Sequence, residues 1–108
     1  MTETMTYHCR VERADRVNWI IKEIGLGQIV KEKYGNINGK AATYTCITDT
    51  GVTIIKTGNK KAIITMYITT ARELVAVYGG QKKIPLALRK KVDHNQSKYI
   101  KNGKTVWA

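Results

Sequence analysis

The sequence predicts one α+β domain: N-terminal helices, an antiparallel β-meander of three strands or more, and two C-terminal helices. Three observations carry this. The chain has 108 residues and a single proline, Pro85, enough for one hydrophobic core and too few for two. Apolar residues recur at spacings of three and four between Thr6 and Ile24, the helical period. From Ala42 to Thr69 the chain turns to Thr, Ile, Val and Tyr, broken twice by short glycine-bearing turns, which is the pattern of hairpins.

The first helix is expected from about Thr6 to Ile24, with Val11, Ala14, Val17, Ile21 and Ile24 on its apolar face. Arg10, Arg13 and Arg16 recur beside that face at intervals of three. Gly25-Leu26-Gly27 reads as a helix break, not as a phosphate-cradling loop. A second, short helix is expected over Gln28 to Tyr34, burying Ile29 and Val30 and stopping at Gly35. Gly35 to Gly39 is a loop by composition. Three strands follow, Ala42–Thr48, Val52–Lys56 and Lys61–Thr69, joined at Asp49-Thr50-Gly51 and Thr57-Gly58-Asn59. In the third, alternation gives Ala62, Ile64, Met66 and Ile68 one apolar face and sends Ile63, Thr65 and Tyr67 to the other. Thr70-Ala-Arg-Glu73 is a capping-box pattern that opens a third helix, closed by Gly79-Gly80. Its apolar positions are Leu74, Val75 and Tyr78. Pro85 suits the first turn of a last helix reaching about Lys101, whose apolar residues (Leu86, Leu88, Val92 and Ile100) are sparse and whose polar side carries Arg89, Lys90, Lys91, Lys98 and Lys101.

Charge narrows the function. The formal net charge is +11, from 19 basic and 8 acidic side chains. It is uneven: net +1 from Met1 to Tyr34, +3 from Gly35 to Gln81 and +7 from Lys82 to Ala108. An excess of this size attracts polyanions and says nothing about fold. Nucleic acid, an anionic membrane and an acidic protein are the three partners to weigh. The last helix is poorly amphipathic, which argues against the membrane. Nucleic acid is the favoured partner, RNA ahead of DNA, with Arg10, Arg16, Lys60, Lys61, Arg89, Lys90, Lys91, Lys98 and Lys101 as its contacts; a merely solvated basic face is the plainer alternative. No apolar run reaches the length of a membrane span, and the N-terminus lacks the apolar stretch of a secretory signal. Cys9 and Cys46 have neither a disulfide-framework nor a zinc-site spacing, and both are expected as reduced thiols in the cytoplasm.

The eight acids are scattered, so a two-metal phosphodiesterase is disfavoured; no metal and no cofactor is expected. Metal-free RNA cleavage asks for less. The ribose 2′-OH is an internal nucleophile, and the protein supplies a base, an acid and cations for the phosphorane charge. His8, Arg13, Lys56, Thr65 and Tyr67 are the residue types that chemistry uses. Each also has a plain reading: His8 as a surface residue at a helix start, Thr65 and Tyr67 as ordinary β-formers.

The order of elements carries a resemblance. His8-Cys-Arg10-x-x-Arg13, then Cys46-Ile-Thr-Asp-Thr-Gly51-Val-Thr-Ile-Ile-Lys56, then Ile64-Thr65-Met-Tyr67, resembles small phage and prophage proteins and the barnase, colicin and RelE-type group of toxin ribonucleases. It covers roughly Tyr7 to Ile68. It implies N-terminal helices on an antiparallel sheet that bears the active site, metal-independent RNA cleavage by 2′-OH transesterification, and an immunity or antitoxin protein as partner. The positions that match are His8, Arg13, Lys56, Thr65 and Tyr67. The chain departs from many members in carrying a basic helix after the sheet. Two classes therefore stand: a metal-independent endoribonuclease, and a non-catalytic basic module that binds nucleic acid or acts as a phage regulator or inhibitor.

Overall fold

The three β-branched stretches do form a meander, and a fourth strand extends it. The computed structural model describes residues 4–5, 14–35, 43–101 and 104–105. The elements are β1 (Thr4–Met5), α1 (Ala14–Glu23), β2 (Ile29–Gly35), β3 (Thr43–Thr48), β4 (Val52–Thr57), β5 (Ala62–Ile68), α2 (Ala71–Tyr78), a 3₁₀ turn (Gln81–Lys83), α3 (Leu86–Tyr99), and a short ribbon of β6 (Ile100–Lys101) and β7 (Lys104–Thr105). Five strands make one sheet in the order β1-β5-β4-β3-β2. β2 to β5 are antiparallel neighbours, and β1 joins the outer side of β5 in parallel, with Thr4 opposite Ala62.

Gln28–Tyr34, expected as a helix, is strand β2. Lys31, Glu32 and Lys33 are good helix formers, but the segment ladders onto β3, with Glu32 opposite Cys46 and Tyr34 opposite Tyr44. The long-range pairing overrides the local preference. Of the first expected helix, Ala14–Glu23 is present, and the rest of the expected span before it lies outside the described residues. Its buried face is Val17 and Ile20, while Ile21, expected to face inward, is 44% exposed. The expected break is real: Gly25 and Gly27 have φ of 83° and 64°, a conformation glycine adopts without a Cβ clash. A Cβ at Gly27 would overlap the Asp49 carboxylate, which accepts the Gln28 N–H at 3.0 Å.

Strand β5 also departs from simple alternation. Ile55 lies opposite Thr65, yet the next residue of β4, Lys56, lies opposite Ile63. Ile64 is thus the extra residue of a β-bulge, which reverses the parity of everything before it. Ile63 joins the buried core beside Met66 rather than the face of Thr65 and Tyr67.

Helices cover both faces. Against α1 the core is Val17, Ile20, Cys46, Val52, Ile54, Ile63 and Met66. On the other face Ile47 packs with Leu74 and Val77 of α2, Ile84, and Leu88 and Val92 of α3. The capping reading of α2 holds in half: the Thr70 hydroxyl accepts the Glu73 N–H at 3.1 Å, and Gly79, with φ 81°, closes the helix through its N–H to Val75. Pro85 stands at the N-cap of α3 rather than inside its first turn, and the helix stops at Tyr99 instead of Lys101. Leu86 is not a core residue but 64% exposed. Asn95, fully buried, donates to the Thr50 carbonyl at 2.9 Å, tying α3 to the β3–β4 turn. Trp19 meets Tyr99 edge-on, with ring centroids 4.9 Å apart, and so joins α1 to the end of α3. Among the described residues no helix is long and apolar enough to cross a membrane.

Candidate functional site

Two residues of the expected catalytic set come together, and the neighbours they find were not expected. Thr65 and Tyr67 share one pleat, the one opposite to Met66 and Ile54. The Arg16 guanidinium reaches from α1 to the Thr65 hydroxyl, Nη2 to Oγ1 at 2.9 Å. The Tyr67 hydroxyl donates a hydrogen bond to Glu73 Oε2 on α2. Thr53, opposite Tyr67 on β4, donates to Glu73 Oε1 at 2.6 Å. Thr53 and Thr69 hydroxyls are 2.9 Å apart. Because Thr53 spends its one proton on the carboxylate, Thr69 is the donor in that pair. The chain of donors therefore runs Thr69 to Thr53 to Glu73, with Tyr67 converging on the same carboxylate. The Thr69 carbonyl in turn accepts from Gln96 of α3 at 2.9 Å.

This geometry sets the chemistry of Tyr67. Burial raises its pKa well above the ordinary value near 10, the bond to Glu73 raises it further, and nearby Arg16 opposes both. The phenol is protonated at neutral pH, and its proton is already committed to Glu73. That suits an anchoring hydrogen bond better than a general acid poised near the working pH. Glu73 was visible in the sequence as a capping residue; its partner Thr53, and Thr69 behind Thr53, carried no such signal.

The rest of the expected set does not gather there. Lys56 is 5% exposed and stands on the pleat of Ile54, the face covered by α1, on the opposite side of the sheet from Thr65 and Tyr67. The two faces alternate along β4, so Lys56 and its neighbour Ile55, which pairs with Thr65, necessarily point apart. His8, Arg10 and Arg13 lie outside the described residues. Among the described residues no three His, Cys, Asp or Glu side chains come together to hold a metal ion.

The expected nucleic-acid contacts divide into two kinds. Arg16 is engaged with Thr65. Lys60 is ion-paired to Glu32 at 2.7 Å, lies 4.4 Å from the centroid of the Tyr44 ring, and has its pKa raised by that carboxylate. Lys101 falls in β6. Arg89, Lys90, Lys91 and Lys98 are exposed on α3, as are Lys61 and, in the 3₁₀ turn, Lys82 and Lys83. On α3 the inward positions are Leu88, Val92 and Asn95. Lys91, His94 and Lys98 recur at three and four, and Lys90 is four before His94, so these four share one outward flank. Arg89 and Asp93 lie on the other flank, where both border a small cleft of about 70 Å³ with Leu74 and Ile84. Asp93 is thereby turned away from Lys91 and Lys98, although it stands one turn from Lys90.

No protein-family model, curated protein or solved structure matches this chain.

Proposed function

We propose that this protein is a basic nucleic-acid-binding domain that uses α3 and the preceding 3₁₀ turn as its contact surface. One observation carries the reading: six basic side chains against one acidic fall between Lys82 and Tyr99, and the helix turns Lys90, Lys91, His94 and Lys98 outward together while its apolar residues hold it to the sheet. Lysines presented in this way contact phosphates, which fix affinity and orientation without reading sequence. Binding should weaken with salt, log Kobs falling by about 0.9 per phosphate contact on duplex DNA and about 0.7 on a single strand. The test is salt-dependent binding of labelled RNA and DNA by the wild type and by the triple variant Lys90→Glu, Lys91→Glu, Lys98→Glu. Each lysine that meets a phosphate should reduce the salt slope by about one. Equal affinity and slope in the triple variant would remove α3 from the interface.

A second reading is metal-independent RNA cleavage, and the Arg16, Thr65, Tyr67 and Glu73 group favours it, since a guanidinium, a carboxylate and a phenol are near one another with the cation close enough to receive phosphate charge. Incubation with labelled RNA in EDTA decides. Cleavage that survives chelation and falls in both Glu73→Gln and Tyr67→Phe supports an enzyme; tightly bound, intact RNA leaves a binding domain.

A further inference from the structure

The β4–β5 turn holds Lys60 in a backbone conformation that lysine rarely adopts. Lys60 has φ 61°, in the left-handed region that glycine and asparagine enter easily and lysine does not. Gly58 and Asn59 stand directly before it, and neither takes this position. The turn over-determines the conformation: the Lys60 N–H donates to the Thr57 carbonyl, while the Asn59 side chain accepts from the Thr57 hydroxyl and from the Lys61 N–H. Backbone strain that the surroundings enforce tends to mark function. Its result here is to send the Lys60 ammonium over Tyr44, steadied by Glu32. Tyr44 lies opposite Tyr34 in the β2–β3 register, their rings tilted at 57° with centroids 4.8 Å apart. Tyr34 is 56% exposed, and Lys61 is exposed beside the turn.

We propose that Tyr34 and Tyr44, flanked by Lys60 and Lys61, form a stacking site for an unpaired base of single-stranded nucleic acid. The inference rests on the nucleic-acid-binding reading and names its substrate class. An exposed aromatic ring accepts a base face of any sequence, and adjacent cations meet the phosphates on either side. A base within a duplex has no free face to offer. The two surfaces lie on opposite faces of the sheet and meet at its β2 edge: Tyr34 and Tyr44 share the pleat of Cys46, which α1 covers. Val30, near the start of β2, borders an open groove of about 280 Å³ that Lys91 of α3 also lines, and Tyr34 lies four residues further on, about 13 Å along the strand. A flexible strand that reaches both must cross over the β2 edge between them. The Glu32 carboxylate is the group at this site that repels phosphate; it positions Lys60, and Glu32→Gln is expected to tighten binding modestly.

The experiment compares three labelled probes of equal phosphate count at low salt: oligouridine, an abasic strand and an RNA duplex. Wild type should bind oligouridine more tightly than the other two. Tyr34→Ala should weaken oligouridine binding roughly 5- to 150-fold, the range that one lost stack gives, and leave the abasic strand and duplex unchanged; Tyr34→Trp should restore it. Lys60→Gly removes the strain, so it should fold at least as well as wild type while binding oligouridine less tightly, which a purely structural lysine would not do. If Tyr34→Ala and Lys60→Gly bind all three probes as wild type does while the triple α3 variant binds none, the stacking site is refuted and the nucleic-acid reading stands. If wild type binds none of the probes, the nucleic-acid reading falls and the stacking site with it.

Discussion

Against α1 the sheet presents Cys46, Val52, Ile54, Ile63 and Met66; against α2 it presents Thr53 and Tyr67, whose hydroxyls close on Glu73. The first seam is held by apolar area and close packing, where any side chain of the right size and hydropathy serves. The second is held in part by three oxygen-bearing side chains that must be placed together, since a buried polar group without its partner costs more than the bond itself contributes. The comparison teaches where substitutions should be tolerated. The α1 seam should respond to volume, and the α2 seam to the identity of single atoms.

The largest effect should come from volume. Ile20→Ala, at a fully buried position of α1, is expected to lower unfolding free energy by about 2–5 kcal/mol, read from urea midpoints; Ile20→Leu should cost less than about 1.5 kcal/mol. If the two variants cost the same, the α1 seam is not governed by packing. Next comes Glu73. Glu73→Ala leaves the Tyr67 and Thr53 hydroxyls without their acceptor and should cost about 1–3 kcal/mol. The double variant with Tyr67→Phe should lose less than the sum of the two single losses. Strict additivity would mean that the hydrogen bond contributes nothing to folding.

The pH dependence separates the two faces without altering size. Tyr67 keeps its proton in the folded protein at a pH where the unfolded chain has released it. Its contribution is complete below the ordinary tyrosine value near 10 and is lost progressively as pH rises above it. Unfolding midpoints measured on both sides of pH 10 should therefore fall more steeply for wild type than for Tyr67→Phe, and ultraviolet titration should find one phenol that ionises after the rest. Parallel pH profiles would show that Tyr67 is not held as described. The smallest effect concerns Thr45, a fully buried residue of β3 whose hydroxyl has no hydrogen-bond partner among the described residues. Thr45→Val should be neutral or should stabilise by up to about 1 kcal/mol, because it removes a desolvated hydroxyl and no bond. Thr53→Val, the same change on the neighbouring strand, should destabilise. The opposite signs of these two shape-matched changes would sharpen the comparison most.

Much of this architecture was legible in the sequence because its signals are local. The glycine-bearing turns place β3, β4 and β5 to within a residue or two at each end, and Thr70 marks the start of α2 through a bond to a residue three positions away. What was hidden depends on distant partners. β2 reads as a helix because Lys31-Glu32-Lys33 suits one, and only pairing with β3 makes it a strand; as an edge strand, it shows no clean alternation. The bulge at Ile64 is invisible within an unbroken apolar run, where slipping by one residue changes no property that a pattern can register. Of the candidate site, Thr65 and Tyr67 were legible as polar residues on a strand. Glu73 reads in the sequence as a cap whose carboxylate turns back to its own helix start, whereas that carboxylate bonds Tyr67 and Thr53, the latter 20 residues earlier. Lys56 was misplaced for a related reason: a single position along β4 decides which side of the sheet a residue serves.

The pairing of β1 with β5 imposes a timetable on synthesis. The meander from β2 to β4 consists of adjacent hairpins that can close as soon as they leave the ribosome. Thr4 and Met5 are made before the rest of the sheet, yet their partners Ala62 and Ile63 appear only after nearly the whole sheet has been translated, a delay of roughly 3–12 s at ordinary elongation rates. Through that interval the nascent chain carries a segment with no ladder to join, and Val17 and Ile20 of α1 lack the Ile63 and Met66 surface on which they come to rest. The strand made earliest in the sheet is thus among the last to pair.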